Sequence, residues 1–100
     1  MADVAKVVIR VARETSKLVS FNEWRKEWAS THGITLLFEN GYSADIVDTG
    51  YGSDEGLLET AVMYDGNIVY DTPITNDVIG WQDEEEAVAT ALEIANLPPR

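Results

Sequence analysis

Two dipeptides constrain the fold of this chain more than any other feature. Asn40-Gly41 and Asp65-Gly66 each stand between runs of strand-forming residues, and Asn-Gly and Asp-Gly accept the left-handed backbone of a tight hairpin turn. Residues 34–39 with 42–48, and 57–64 with 67–71, therefore read as two β-hairpins. Residues 50–56, rich in Gly, Ser and Asp, read as the loop between them. Pro73 ends the last strand, and 74–82 reads as an irregular connection.

Helical periodicity flanks the hairpins. Val4, Val7, Val8, Val11, Thr15 and Leu18 recur at i, i+3, i+4 and i+7, with Lys6, Arg10, Arg13 and Lys17 on the opposite face, so a helix is expected over 3–18. Ser20 and Glu23 have the spacing of a capping box. Phe21, Trp24 and Trp28 follow at helical spacing, with Gly33 as a stop, which gives a second helix over 21–32 and places both tryptophans in the core. Asp83 can cap a last helix with Glu84, Glu85 and Glu86 in its first turn, Val88, Ala91, Leu92 and Ala95 as its buried stripe, and Pro98-Pro99 as its end. The expected fold class is α+β: two N-terminal helices, a four-stranded antiparallel sheet built from two hairpins, and a C-terminal helix. At 100 residues this is one domain, 1–100.

The chain has no cysteine, which excludes disulfides, thiolate nucleophiles and cysteine-ligated metals. No basic segment followed by an apolar run opens it, and no 18 apolar residues stand together, so a cytoplasmic protein outside the membrane is expected. Charge is the more informative property. Eighteen acids against seven bases give −11, yet Lys6, Arg10, Arg13, Lys17, Arg25 and Lys26 all precede residue 27, and the seventh base is Arg100. Residues 27–99 hold 15 carboxylates and no Lys or Arg. Such a surface repels nucleic acid and anionic membranes and attracts cationic partners over roughly 8–10 Å in physiological salt.

Catalytic patterns are sparse. Ile46-Val47-Asp48-Thr49-Gly50 resembles the active-site turn of aspartic proteases, and Val78-Ile79-Gly80 resembles the second hallmark of that family. In retroviral-type members two such chains share a proton between paired aspartates, which makes this fold of activity the remote alternative. Tyr51 stands where the family has a small residue, and only 30 residues separate Asp48 from Val78. His32, the single histidine, reads as a solvated helix-end residue with no nucleophile motif to serve. Asp45, Asp48, Asp54 and Glu55 lack calcium-loop spacing, and the glycines at 50, 52 and 56 have no lysine beside them for a phosphate. No catalytic residue, metal or cofactor is expected.

Residues 70–81, Tyr-Asp-Thr-Pro-Ile-Thr-Asn-Asp-Val-Ile-Gly-Trp, running into Glu84-Glu85-Glu86, resemble the C-terminal part of small acidic proteins encoded by phages and prophages. The resemblance implies a protein that binds and blocks a host machine, as anti-CRISPR and other DNA-mimic inhibitors do. Together with the charge layout it leads to a non-enzymatic acidic interaction module whose partner is a basic protein surface, such as that of a nucleic-acid-binding factor. The residues expected to meet that partner are Asp54, Glu55, Glu59, Asp77, Asp83, Glu84, Glu85 and Glu86. Trp81 is divided between core packing and an anchoring role. A structural homodimer that pairs through an exposed sheet edge is the alternative, and either a monomer or a homodimer fits.

Overall fold

The computed structural model describes residues 3–26 and 31–100. Asp3 opens the first element by accepting the Ala5 amide at 2.9 Å, and helix α1 runs Val4–Glu14 with Val4, Val7, Val8 and Val11 buried. The helix ends before residue 18 because Thr15 is extended (φ −143°, ψ 144°). The Thr15 hydroxyl accepts the Lys17 amide, a local turn that competes with further helix. Helix α2, Glu84–Ala95, begins at Asp83 in a capping box: Asp83 accepts the Glu86 amide and Glu86 accepts that of Asp83.

Among the described residues six strands lie between the helices, β1 Leu18–Lys26, β2 Thr31–Phe38, β3 Tyr42–Val47, β4 Leu58–Tyr64, β5 Asn67–Ile68 and β6 Ile79–Gln82. Every pairing is antiparallel and the order is β1-β2-β3-β4, with both β5 and β6 on the far side of β4. The α+β class and the antiparallel sheet stand as expected. The layout differs, with one helix before the sheet and six strands in place of four.

The expected helix over 21–32 is the main correction. Residues 21–26 belong to β1 and 31–32 to β2, while Trp28 lies outside the described residues. Two non-local contacts override the helical spacing. Glu23 Oε1 meets His32 Nε2 across the strand pair at 2.6 Å, so His32 is a half-buried strand residue and not a helix-end one. A Cβ on Gly33 would lie 2.4 Å from Trp24 Cζ2, so this glycine is where the indole crosses the neighbouring strand. Trp24 is half-buried on the sheet face without helices, and Ser20–Glu23 forms no cap. The two turns formed where expected. Gly41 (φ +89°) closes a three-residue loop by donating to Phe38 O at 3.1 Å, and Asp65-Gly66 (φ +52° and +78°) makes the two-residue turn. The segment 74–82 is irregular only as far as residue 78, beyond which β6 begins.

Both helices pack on one sheet face. Ile34, Leu36 and Phe38 of β2, Tyr42, Ala44 and Ile46 of β3, and Leu58 and Val62 of β4 meet α1 and the Ala87, Val88, Ala91, Ile94 and Ala95 stripe of α2. Leu92, expected in that stripe, is half-buried at its border, and Ile94 takes the central place. Burial of each large side chain here contributes about 1.5–3 kcal/mol. The expected basic stripe is partly engaged within the fold: Arg10 of α1 bonds Glu85 and lies 3.8 Å from Glu14, and Lys17, beyond the end of α1, donates to Asn96 at 2.6 Å. Lys6 and Arg13 are exposed.

Arg100 fastens the 69–78 excursion to the sheet. Its Nη1 donates to Asp71 Oδ2 at 3.0 Å and its Nη2 to Oδ1, its Nε donates to the Tyr42 hydroxyl at 2.8 Å, and its Cζ lies 5.4 Å and 5.7 Å from the Tyr42 and Tyr64 ring centres. Hydrogen bonding to Arg100 holds the Asp71 carboxyl below the usual carboxylate range. A depressed carboxyl contributes stability above its unfolded pKa of about 3.9, and the contribution disappears as pH falls through the folded value. The difference in Tm between the wild type and Asp71→Asn should therefore be present at neutral pH and close on acidification. A difference constant with pH would disprove the linkage.

Candidate interaction surface

At the end where β3 leaves the sheet and β4 enters it, three glycines let a loop press onto β6. A Cβ on Gly50 would lie 2.4 Å from the Glu59 carboxylate, one on Gly80 would lie 2.4 Å from Tyr51 Cβ, and one on Gly52 (φ +96°) would lie 2.8 Å from Trp81 Cα. The Tyr51 amide donates to Glu59 Oε2 at 2.8 Å, and the Trp81 amide donates to Tyr51 O at 2.8 Å. The two rings stack with centroids 5.5 Å apart and planes 15° from parallel.

This stack is built outward. Tyr51 and Trp81 are 59% and 58% exposed, although burial in the core would be the ordinary fate of such side chains. Trp81 also sits at φ +53°, a left-handed conformation that costs a residue with a side chain about 1–2 kcal/mol. Gln82, its neighbour, turns inward and is buried. Strain of this kind, held by surrounding contacts at an exposed aromatic, points to function more than to packing.

No family model, curated protein or solved structure matches the chain.

Function is therefore read from the chemistry of the site itself. Beside Gly52, the 3₁₀ turn Ser53–Glu55 carries Asp54 and Glu55, both exposed. Asp77 is exposed two residues before β6, and Asp83 follows β6 directly. Among the described residues no hydrogen bond or ion pair engages the carboxylates of Asp54, Glu55 or Asp77. The other expected contact residues have structural work. Glu59 holds the Tyr51 amide, Asp83 and Glu86 form the capping box, Glu84 accepts the Asp3 amide at 3.1 Å, and Glu85 binds Arg10. The structure thus gathers Glu59, Trp81 and the Asp54-Glu55 turn around Tyr51, and sets Glu84 and Glu85 against α1. Tyr51 was not among the residues expected to meet a partner. Its signal was an aromatic between two glycines in an acidic loop.

The remaining candidate chemistry is occupied locally. Asp48 accepts the His32 amide at 2.9 Å and donates its own amide to His32 O, which ties the end of β3 to β2. Asp45 accepts the hydroxyl of Thr35, its cross-strand partner. Among the described residues no three His, Asp or Glu side chains gather within reach of a metal ion, and no helix is long and apolar enough to cross a membrane. A shallow open depression of about 380 Å³, lined by Gly41, Tyr64 and Asp65, lies at the opposite ends of these strands.

Proposed function

We propose that this chain is a non-enzymatic acidic interaction module, phage-encoded, that binds a basic protein surface and thereby blocks a nucleic-acid-binding host factor. The observation that carries the reading is the exposed Tyr51–Trp81 stack, held at a cost in backbone strain inside a 73-residue stretch without Lys or Arg. An aromatic face attracts guanidinium and ammonium groups through its quadrupole. Carboxylates around it steer cationic groups inward and complement them once bound. Tryptophan and tyrosine are also the residues on which binding energy concentrates at protein interfaces. Asp54, Glu55 and Asp77 are the carboxylates free to join them, and the phage resemblance of residues 70–86 supplies the context.

An octa-arginine peptide is a direct probe, with octa-glutamate as its control. Trp81→Gly removes both the strain and the stack, worth about 0.5–1.5 kcal/mol, so stability should change by less than about 1 kcal/mol. Octa-arginine affinity should nevertheless fall about tenfold, the loss of a partly desolvated cation–π contact. Neutralising Asp54, Glu55 and Asp77 together should weaken binding and flatten its dependence on salt. Wild-type affinity in Trp81→Gly would exclude the stack as the contact.

A further inference from the structure

Arg100 is the one base among residues 27–100, and its guanidinium is bound as a ligand would be. Both Asp71 carboxylate oxygens accept from it in the two-pronged geometry that a planar guanidinium offers. The Tyr42 hydroxyl accepts from Nε, and the Tyr42 and Tyr64 rings flank the same group. The walls of this site are held by other contacts. Tyr42 and Tyr64 are cross-strand partners on β3 and β4, their rings 5.1 Å apart and edge to face. Tyr42 is buried in the core, and a Cβ on Gly41 (φ +89°) would lie 2.9 Å from Tyr64 Cε2, so the glycine makes room for that ring. Asp71 follows Val69, whose amide donates to Val62 O at 3.0 Å and whose side chain packs against the core. The occupant is held more lightly. Leu97 is buried and its carbonyl is taken by Asn40, but Pro98, Pro99 and Arg100 are exposed, and among the described residues no backbone hydrogen bond holds them. Segment 98–100 is thus hinged at Leu97 and closed by a single side chain.

We propose that Tyr42, Tyr64 and Asp71 form an arginine-binding site that Arg100 fills in cis, and that an arginine side chain of a partner protein fills when segment 98–100 swings out. The occupant itself defines the ligand class. A guanidinium satisfies the carboxylate, the hydroxyl and both rings at once, whereas an ammonium is a point charge that does not match the carboxylate as a planar fork does. Charge favours the exchange, because residues 27–99 hold 15 carboxylates and no Lys or Arg to take the place of Arg100. A short tether presents Arg100 at millimolar effective concentration. A solitary arginine therefore competes poorly, and one already held against the acidic surface competes well. Beside the site, Tyr64 also lines the open depression of about 380 Å³ with Gly41 and exposed Asp65, which leaves room for the residues that flank an incoming arginine. Tyr42 opens β3 and Tyr64 ends β4, at the opposite ends of these strands from Tyr51 and Trp81, so the site does not rest on what that stack binds.

N-acetyl-arginine amide is the probe, with the citrulline and lysine analogues as controls, and binding is read from the NMR signals of the Tyr42 and Tyr64 rings. Arg100→Ala should bind the probe about tenfold more tightly than the wild type, in which the site is already filled. The lysine analogue should bind Arg100→Ala more weakly than the probe, and the uncharged citrulline analogue should not bind. Adding Asp71→Asn to Arg100→Ala should abolish binding. Adding Trp81→Gly should leave it unchanged, which separates this site from the stack. Arg100→Gln serves in the same comparison if Arg100→Ala fails to fold. Equal binding by the wild type and the Arg100 variants, absence of binding included, equal binding of the lysine analogue, or binding that survives Asp71→Asn would each overturn the proposal.

Discussion

Replacing Asn40 by Ala is expected to remove about 2–4 kcal/mol of stability, a large share of what a domain of this size possesses. Asn40 is buried, and its amide nitrogen donates to Ile94 O and Leu97 O, each at 2.9 Å, and to Ala95 O at 3.3 Å. Those are carbonyls at and beyond the end of α2, which a helix cannot satisfy from within. The Asn40 side-chain oxygen accepts the Tyr42 amide at 3.0 Å, so one side chain closes the β2–β3 turn and the end of α2 together. Alanine would remove the donor to the Ala95 and Leu97 carbonyls and the acceptor of the Tyr42 amide, while Ile94 O keeps the Leu97 amide at 3.2 Å, and Tm should fall by on the order of 10–20 °C. Asn40→Asp has the same shape but sets a carboxylate against carbonyl oxygens and the negative end of the helix dipole. It should be less stable than Asn40→Ala at neutral pH. Because burial raises the pKa of that carboxyl, the excess loss should be absent below about pH 4 and grow as pH rises. Equal stability of the two variants at pH 7 would show that the amide donor is not what matters.

Asn40 also illustrates how far the sequence could be read. Asn40-Gly41 announced a turn through local backbone preference, and the turn is there. Nothing local announced that the Asn40 side chain would cap a helix more than 50 residues away. The same division holds elsewhere. The valines of α1 and the Asp83 cap are patterns within a few residues, and both formed, although α1 stops at Glu14, short of the expected residue 18, and the structure adds Glu86 to the cap. Residues 18–26 carry a helical pattern by coincidence: Phe21 and Trp24 are three apart, and Ser20 and Glu23 have cap spacing. Their real partners, Leu36, Gly33 and His32, lie on the next strand, and an edge strand buried on part of one face does not need clean alternation. The acidic surface was legible from charge alone. Which carboxylates are free was not, because Glu84, Glu85 and Glu86 look alike in sequence and each has a different neighbour in space.

Thr60→Val is expected to cost about 1–3 kcal/mol although it preserves shape, because it orphans a buried acceptor. The Thr60 hydroxyl donates to Gln82 Oε1 at 2.6 Å, and Gln82 Nε2 donates to the Thr90 hydroxyl at 2.7 Å. All three residues are buried, so this chain joins β4, β6 and α2 through the core without contact with water. Thr60→Val strands the Gln82 carbonyl, whereas Gln82→Leu strands the Thr60 hydroxyl. The triple variant Thr60→Val, Gln82→Leu, Thr90→Val leaves no polar side-chain atom unpaired there and should recover most of the loss. If stability were the whole purpose, that apolar version would serve as well. The network has a second consequence, since it fixes Gln82 inward while its neighbour Trp81 stands outward at φ +53°. A leucine at 82 would be buried in the same place, so the triple variant should regain its Tm together with the near-ultraviolet circular dichroism of the Tyr51–Trp81 stack and octa-arginine binding. Recovery of Tm without the other two would mean that the hydrogen bonds themselves, and not burial of residue 82, hold the stack.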